Sequence, residues 1–322
     1  MNQPRYSVIV PVYNRPQEVD ELLTSLTHQT YKNFEVIIVE DGSVLTSEKI
    51  CEKFADALAI RYFLKPNSGP GPSRNFGYQQ AQGEYFVIFD SDCILPKFYF
   101  ETIENFLKQK HVDAWGGPDR ASSTFTPLQR AMGYTMSSFF TTGGIRGGKE
   151  IAGKFQLRSF NMGISRKVFE KTGGFKFDRF AEDIEFSIRM SKMGFTTALI
   201  QDAFVYHKRR STLKQFFWQV FNFGRGRVQV GREHPGEIKI THWYPAVFLL
   251  GLLFVPIAGS VNVSWGLVSA WLYFLYFLVI AMDALIKNRS LLISILSIPS
   301  AFVQLTGYGL GFLKEKFSGG NS

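Results

Sequence analysis

Cysteine is nearly absent: Cys51 and Cys93 are the only two in 322 residues. Two are too few for a disulfide framework, and their spacing is not that of metal ligands. A disulfide-stapled secreted fold and a sequence-local zinc site are therefore excluded, and reduced, cytosolic surroundings are expected. No secretory signal is expected either. Met1–Arg5 leads straight into a strand-like run and not into an apolar core of about 7–15 residues with a cleavage site. There is no internal repeat, which excludes a solenoid, and no low-complexity linker. Basic residues also vanish over one long stretch: no Lys or Arg lies between Lys239 and Lys287.

That stretch is filled with apolar side chains. A bilayer core needs about 20 consecutive apolar residues per helix. Trp243–Val263 and Trp265–Ile286 both meet that length, and a third run covers Leu291–Leu313. The expected organisation is a water-soluble domain over residues 1–235 and a membrane domain of two to three helices over 241–314. The net charge is +9; beyond residue 240 there are four basic and two acidic residues, so the first 240 keep +7. With an apolar tail present, this excess fits anionic lipid and phosphorylated substrates, not nucleic acid. The basic turn at Lys287-Asn288-Arg289 and the uncharged turn at Asn262–Ser264 place the soluble part on the cytoplasmic side. A full third span would export Lys314 and Lys316. Pro299 and the glycines at 307, 309 and 311 favour a broken or re-entrant third helix instead.

Upstream, short β-branched runs alternate with helical patterns. Strands are expected at Tyr6–Val12, Phe34–Val39, Ile60–Leu64 and Tyr85–Phe89, with helices at Pro16–Gln29, Thr46–Leu58 and Gly69–Ala81 between them. This order implies a parallel sheet with helices on both faces. Farther on, a helix is expected at Pro96–Gln109 and a strand at Val112–Trp115. Then come loops over Ser122–Lys154, a strand at Phe160–Ile164, helices at Arg166–Lys171 and Glu182–Met193, a strand at Ala203–His207, and an aromatic helix at Thr212–Val228. That last helix ends in Arg225, Arg227 and Arg232 and suits a membrane interface.

Candidate chemistry clusters at strand ends, where open parallel sheets bind ligands. Pro11, Tyr13, Asn14 and Arg15 follow the first strand. Glu40 and Asp41 follow the second, where an acid can accept hydrogen bonds from a base edge or ribose. The Gly-rich stretch Asn67–Asn75, with Gly71 and Arg74, lets backbone and a cation approach a phosphate. Asp90-Ser91-Asp92 ends a buried apolar strand. Two carboxylates at that spacing repel unless a cation joins them, and Mg²⁺ or Mn²⁺ binds carboxylate and diphosphate oxygens together. Glu182 and Asp183 open a helix, where an acid either complements the helix dipole or acts as a general base. His207 ends a later strand and offers a third metal ligand.

The order P-V-Y-N-R, E-D-G-S, N-x-G-x-G-x-x-R-N-x-G, D-S-D, G-G-F and E-D resembles the inverting family 2 glycosyltransferases over roughly residues 6–210. The resemblance implies the A-type glycosyltransferase fold, a Rossmann-like mixed sheet that binds nucleotide sugars, here followed by membrane helices. It further implies that Asp41, with Glu40 beside it, contacts the donor's base. By the same resemblance Asp92 would be the direct ligand of a divalent metal with Asp90 beside it, Asp183 would be the base, and His207 matches a position that completes the metal site in some members. Glu40 departs from the aspartate often found there. The Q-x-x-R-W motif of processive synthases is missing. Gln219, Gly224, Arg225, Gly226 and Arg227 look instead like the Q-x-x-x-Y-G-x-G-R stretch of non-processive, membrane-tethered members, which adds Arg225 and Arg227 to the expected donor contacts.

The expected activity is metal-dependent, inverting sugar transfer from a nucleotide diphosphate sugar. The acceptor would be polyprenyl-linked or otherwise close to the membrane, at the bacterial inner membrane, in cell-envelope polysaccharide or glycolipid synthesis. A processive polysaccharide synthase and an inactive membrane scaffold are the alternatives. Nucleotidyltransfer is disfavoured because Val12-Tyr13-Asn14-Arg15 stands where a Gly-rich basic loop would be needed.

Overall fold

The computed structural model describes residues 3–120, 125–143, 156–207 and 210–318. Its contacts divide the chain into two units, Met1–Ser122 with Glu150–Lys208 and Ser123–Lys149 with Arg209–Ser322. The helix expected to close the soluble domain thus belongs to the second unit.

The first unit is built on a seven-stranded mixed sheet in the order β3-β2-β1-β4-β8-β6-β9. Its strands are β1 (Tyr6–Val12), β2 (Phe34–Asp41), β3 (Ile60–Lys65), β4 (Tyr85–Phe89), β6 (Ala114–Gly116), β8 (Asn161–Ser165) and β9 (Thr197–Leu199). A small second sheet pairs β5 (Cys93–Ile94), β10 (Val205–His207) and β7 (Asp119–Arg120) in the order β5-β10-β7. The first four strands are mutually parallel, whereas β8 runs antiparallel to both β4 and β6. Strand period 2 sorts the side chains cleanly. Val8, Val10 and Val12 of β1 join Val36 and Ile38 in one cluster, while Ile9, Ile37 and Val39 join another on the opposite face. Burial on both faces explains why these segments read as continuous apolar runs.

Helix α1 (Pro16–Thr27) covers the first cluster with Val19, Leu22, Leu23 and Leu26, and α3 (Pro70–Gln80) covers the second with Tyr78. The remaining helices of the unit are α2 (Glu48–Lys53), α4 (Tyr99–Gln109), α7 (Arg166–Thr172) and α8 (Glu182–Lys192). From β1 the chain steps outward to β2 and β3, then returns to place β4 on the other side of β1. The sheet's switch point therefore lies between the carboxyl ends of β1 and β4, where ligands bind in folds of this kind.

The second unit contains α5 (Pro127–Ser137), α6 (Phe139–Thr142), α9 (Leu213–Glu233), α10 (Tyr244–Val261), α11 (Val263–Asn288) and α12 (Leu291–Phe317). The expectation of loops throughout Ser122–Lys154 is corrected by α5 and α6. Thr126 caps α5 in a reciprocal box with Gln129, which outweighs a composition rich in Gly, Ser and Thr. Residues 121–124 and 144–155 lie outside the described residues.

The broken third apolar helix is also corrected, because α12 is continuous. Pro299 removes one backbone bond, while Ser297 and Ser300 each donate a 2.7 Å hydrogen bond back to the carbonyls of Ile293 and Leu296. The glycines serve packing here. A Cβ on Gly311 would meet the Phe221 carbonyl oxygen at 2.0 Å, and one on Gly309 the Pro245 carbonyl oxygen at 2.5 Å. Among the described residues, three helices are long and apolar enough to cross a membrane: Ile240–Val261, Val263–Asn288 and Leu291–Phe317. Leu253, Phe254 and Ile257 of the first and Val268, Trp271 and Leu272 of the second are exposed, as lipid-facing side chains would be.

Candidate active site

The carboxyl ends of β1 and β4 bring Arg15 to Asp92. Arg15 donates through Nη1 to Asp92 Oδ2. From β10, His207 places Nε2 3.0 Å from Asp92 Oδ1. That oxygen is buried and receives no hydrogen bond in good alignment, and Asp92 as a whole is 7% exposed. Burial raises its pKa, but the adjacent His207 and the Arg15 guanidinium outweigh burial and hold the carboxyl far below its ordinary range. The reciprocal effect raises His207: burial works against its proton, and the neighbouring Asp92 carboxylate wins.

The repulsion expected between Asp90 and Asp92 is answered by the protein's own cations. Arg74 is 3% exposed. It donates through Nη2 to Asp90 Oδ1 at 2.9 Å and through Nη1 to Glu182 Oε1 at 2.7 Å, so it ties the acidic triplet to the start of α8. It also lies over the Phe175 ring, 5.4 Å from the centroid. Glu182 is nonetheless pushed up to about 7, by burial first and then by the like charge of Asp183, against the pull of Arg74. Asp183 is half-buried; its Oδ1 accepts from the Ile184 N–H at 2.8 Å and its Oδ2 lies 3.8 Å from Arg158 Nη1.

The rest of the Gly-rich stretch explains how α8 is held. Asn75 donates to the Phe175 carbonyl and accepts from the Phe175 N–H, both at 2.8 Å. Gly71 donates its N–H to the Asp178 carbonyl at 2.9 Å, and a Cβ there would sit 2.1 Å from the Phe177 carbonyl oxygen. Gly173 and Gly174 turn the chain with φ of +73° and +83°, a conformation that glycine adopts without strain. Adjacent letters in R-N thus do separate tasks: Arg74 fixes an acid and Asn75 fixes the turn that leads to it.

The β2 acids face inward. Glu40 is wholly buried and accepts from Ser43 Oγ and, at 2.8 Å, from the Ser47 N–H, so it shapes the loop after β2. Asp41 accepts from Lys65 at 2.5 Å and from the Ser68 and Gly69 N–H groups at 2.9 Å. Burial raises its pKa, and these donors more than reverse that. Asn67 donates to the Asp41 carbonyl at 2.7 Å. Asn14, at φ +54°, joins the first two loops by accepting from the Val44 and Leu45 N–H groups. Tyr13 is exposed, and Pro11 pairs with Val39 inside the sheet. Arg225 and Arg227 lie on α9 in the second unit, where Arg225 donates to Glu315 at 2.8 Å.

Two neighbours were not legible in the sequence. Cys93 offers a sulfur within 4.8 Å of ligand atoms on Asp92 and His207. Cysteine spacing gave no hint of this, since His207 reaches it only through the pairing of β5 with β10. Arg158 precedes β8 in a stretch without periodicity.

A sequence model of the family described as "Glycosyl transferase family 2" matches residues 7–173, just over half of the chain. The chain belongs to this family. A glycosyltransferase of Haemophilus influenzae is 36% identical over 114 residues, which are 35% of this chain and 46% of that protein. The poly(ribitol-phosphate) beta-N-acetylglucosaminyltransferase TarS of Staphylococcus aureus is 37% identical over 113 residues, 34% of this chain and 20% of that one. The chain thus spans less than half the length of these curated family 2 relatives. Among solved structures, the mannosyltransferase PcManGT of Pyrobaculum calidifontis, in complex with GDP-Man and Mn²⁺, superposes with a TM-score of 0.61 at 19% identity. The match covers 98% of this chain and 88% of that one. At that identity the likeness establishes the fold: the A-type glycosyltransferase sheet, here with three apolar C-terminal helices.

Proposed function

We propose that this chain transfers a sugar from a nucleoside diphosphate donor to a hydroxyl acceptor with inversion at the anomeric carbon. The observation that carries the reading is the double grip of Arg74, which joins the acidic triplet after β4 to the acid pair that opens α8. The donor's leaving group and the acceptor's proton need acids at two places held in fixed relation, and this bridge provides it. Asp183 is the base that takes the acceptor proton, while Glu182, spent on Arg74, positions the turn. Arg15 and Arg74 offer charge to the diphosphate, and Asp41 lies at the end of β2 where a donor's base would rest.

The residues present fit a divalent ion. Asp92 Oδ1 is a buried acceptor without an aligned donor, His207 Nε2 faces it, and carboxylate with imidazole suits Mn²⁺ or Mg²⁺. Such an ion, when bound, neutralises charge developing on the leaving diphosphate. Asp92 with His207 would hold it, with Asp90 beside them. The Mn²⁺ and GDP-Man named for PcManGT and the N-acetylglucosaminyl transfer named for TarS support a nucleotide-sugar donor.

Three helices able to cross a bilayer support an acceptor at the membrane surface, polyprenyl-linked or otherwise lipid-bound, in cell-envelope glycan synthesis. The basic turn Lys287–Arg289 supports a cytoplasmic site at a bacterial inner membrane. The test is Asp183→Asn in the full chain in detergent. Transfer falls by about 10²- to 10⁴-fold, while binding of nucleoside diphosphates with Mn²⁺, read by thermal shift, is retained. Near-normal turnover of this variant would remove Asp183 from the role of base.

A further inference from the structure

The D-S-D triplet is followed directly by Cys93, and the chemistry of that fourth residue differs from that of the three before it. Carboxylates are hard ligands suited to Mg²⁺ and Mn²⁺; a thiolate is soft and selects ions such as Zn²⁺. Strand pairing puts His207 opposite Cys93 across β5 and β10. One ligand atom each from Asp92, Cys93 and His207 then lies within 4.8 Å of the others. The pocket is prepared for a cation in two further ways. Asp92 is more than nine-tenths buried, and its Oδ1 has no aligned donor although it lies 3.0 Å from His207 Nε2. Cys93 is fully buried, and its thiol donates to the Phe160 carbonyl at 3.5 Å, a bond it can give up on losing its proton. The Phe160 ring stacks on His207, 5.0 Å between centroids, and fixes the plane of the imidazole.

We propose that Asp92, Cys93 and His207 form a binding site for a thiophilic divalent ion of the Zn²⁺ class, overlapping the Mg²⁺ or Mn²⁺ position and competing with it. The donor set of carboxylate, thiolate and imidazole, with a fourth position left to water or a donor oxygen, is that of an open zinc site. Zinc bonds of about 2.0–2.3 Å place tetrahedral ligand atoms about 3.3–3.8 Å apart. Side-chain shifts of about an ångström therefore close the site. Arg15 keeps Asp92 Oδ2 while Oδ1 turns to the ion. The ion displaces the protons of Cys93 and His207, which pass to solvent. Zinc ranks above manganese in affinity for such sites, so micromolar Zn²⁺ would displace Mn²⁺ and stop sugar transfer. The competition rests on the proposed function; the binding site itself does not.

Co²⁺ is the probe, because a cobalt–thiolate bond gives a charge-transfer band in the near ultraviolet that carboxylate and imidazole ligands do not. The full chain in detergent, freed of metal, is titrated with Co²⁺ and then with Zn²⁺. The wild type is expected to show the band at one equivalent and to lose it as zinc replaces cobalt. Cys93→Ser abolishes the band and weakens Zn²⁺ binding by at least tenfold. It shifts Mn²⁺ binding, read by electron paramagnetic resonance, by less than threefold, which separates loss of a ligand from loss of the fold. Cys51→Ser is the control for the other buried cysteine and keeps the band. Absence of the band in the wild type, or zinc binding as tight in Cys93→Ser, overturns the site. If the band is present and no nucleotide sugar is turned over with Mn²⁺, the site stands and the proposed function fails. If Mn²⁺ supports transfer without the band, the reverse holds.

Discussion

Replacing Arg74 with Met tests how the acid that opens α8 is held. The substitution keeps the apolar stem and removes two charge-assisted hydrogen bonds, at 2.7 Å to Glu182 and 2.9 Å to Asp90. Removing one partner of a buried ion pair costs about 3–5 kcal/mol when the remaining charge has no escape. Glu182 does have one, because its folded pKa is already pushed up from 4.5 to about 7 with Arg74 in place. At pH 6 it is mostly protonated, and the variant loses hydrogen bonds to a largely neutral carboxyl and to the partly exposed Asp90, about 1–3 kcal/mol.

At pH 8 the wild-type carboxyl is ionised. Losing Arg74 raises the Glu182 pKa further, so the variant keeps the proton that the wild type has released. The wild type gains on the order of 1 kcal/mol by that ionisation, and the variant forfeits it. The sign follows from the raised pKa. The folded state binds the proton more tightly than the unfolded chain does, so stability is highest at low pH. It falls as pH rises from 4.5 to about 7 in the wild type, and the fall continues past 8 in the variant. Chemical denaturation of the full chain in detergent at pH 6 and pH 8 therefore shows a destabilisation larger at the higher pH, by on the order of 1 kcal/mol. A loss that is equal at both values, or larger at pH 6, refutes the coupling of Arg74 to Glu182.

Two further outcomes follow from the packing. Asn75→Ala removes both hydrogen bonds to the Phe175 backbone and leaves its buried polar groups unpaired, lowering stability by about 2–4 kcal/mol in the same denaturation assay. In the second unit, Glu315 is buried and is met by Arg225 at 2.8 Å and Arg232 at 3.2 Å, both partly exposed. Glu315→Leu thus frees the two arginines to reach water and shifts stability by only about 1 kcal/mol, whereas Arg225→Met with Arg232→Met strands the carboxylate and costs about 3–5 kcal/mol; thermal melting in detergent ranks the three proteins.

The parts of this protein that were legible in its sequence are those that burial writes into a local pattern. β1, β2 and β4 are buried on both faces, so their apolar runs reveal them, and α1 shows its core face through Val19, Leu22, Leu23 and Leu26. Three-residue strands such as β6, β9 and β10 are set by the partners they pair with. Of these, β9 leaves no pattern of its own, and the apolar run Ala203–His207 is longer than β10. Helix α5 carried a readable signal in Thr126 and Gln129, masked by the Gly-rich surroundings. At the site, letters marked the residues but not their partners. Glu40 and Asp41 look alike beside a Gly-Ser turn, yet one shapes the loop after β2 and the other anchors Ser68 and Gly69. Cys93 and His207 are far apart in sequence and meet through a two-residue pairing that no periodicity encodes.

The contact of Gly69 and Gly71 with the backbone at Phe177 and Asp178 has a consequence for how such a chain can vary. A Cβ on Gly69 would come within 2.8 Å of the Asp178 carbonyl oxygen, so here the chain is positioned by missing atoms and by main-chain groups that every residue shares. Of the exposed side chains here, Arg179 adds a tie of its own, donating through Nη2 to Asn67 Oδ1 at 2.5 Å. Any side chain at position 69 or 71 would push this segment away, and with it the start of α8 that carries Glu182 and Asp183.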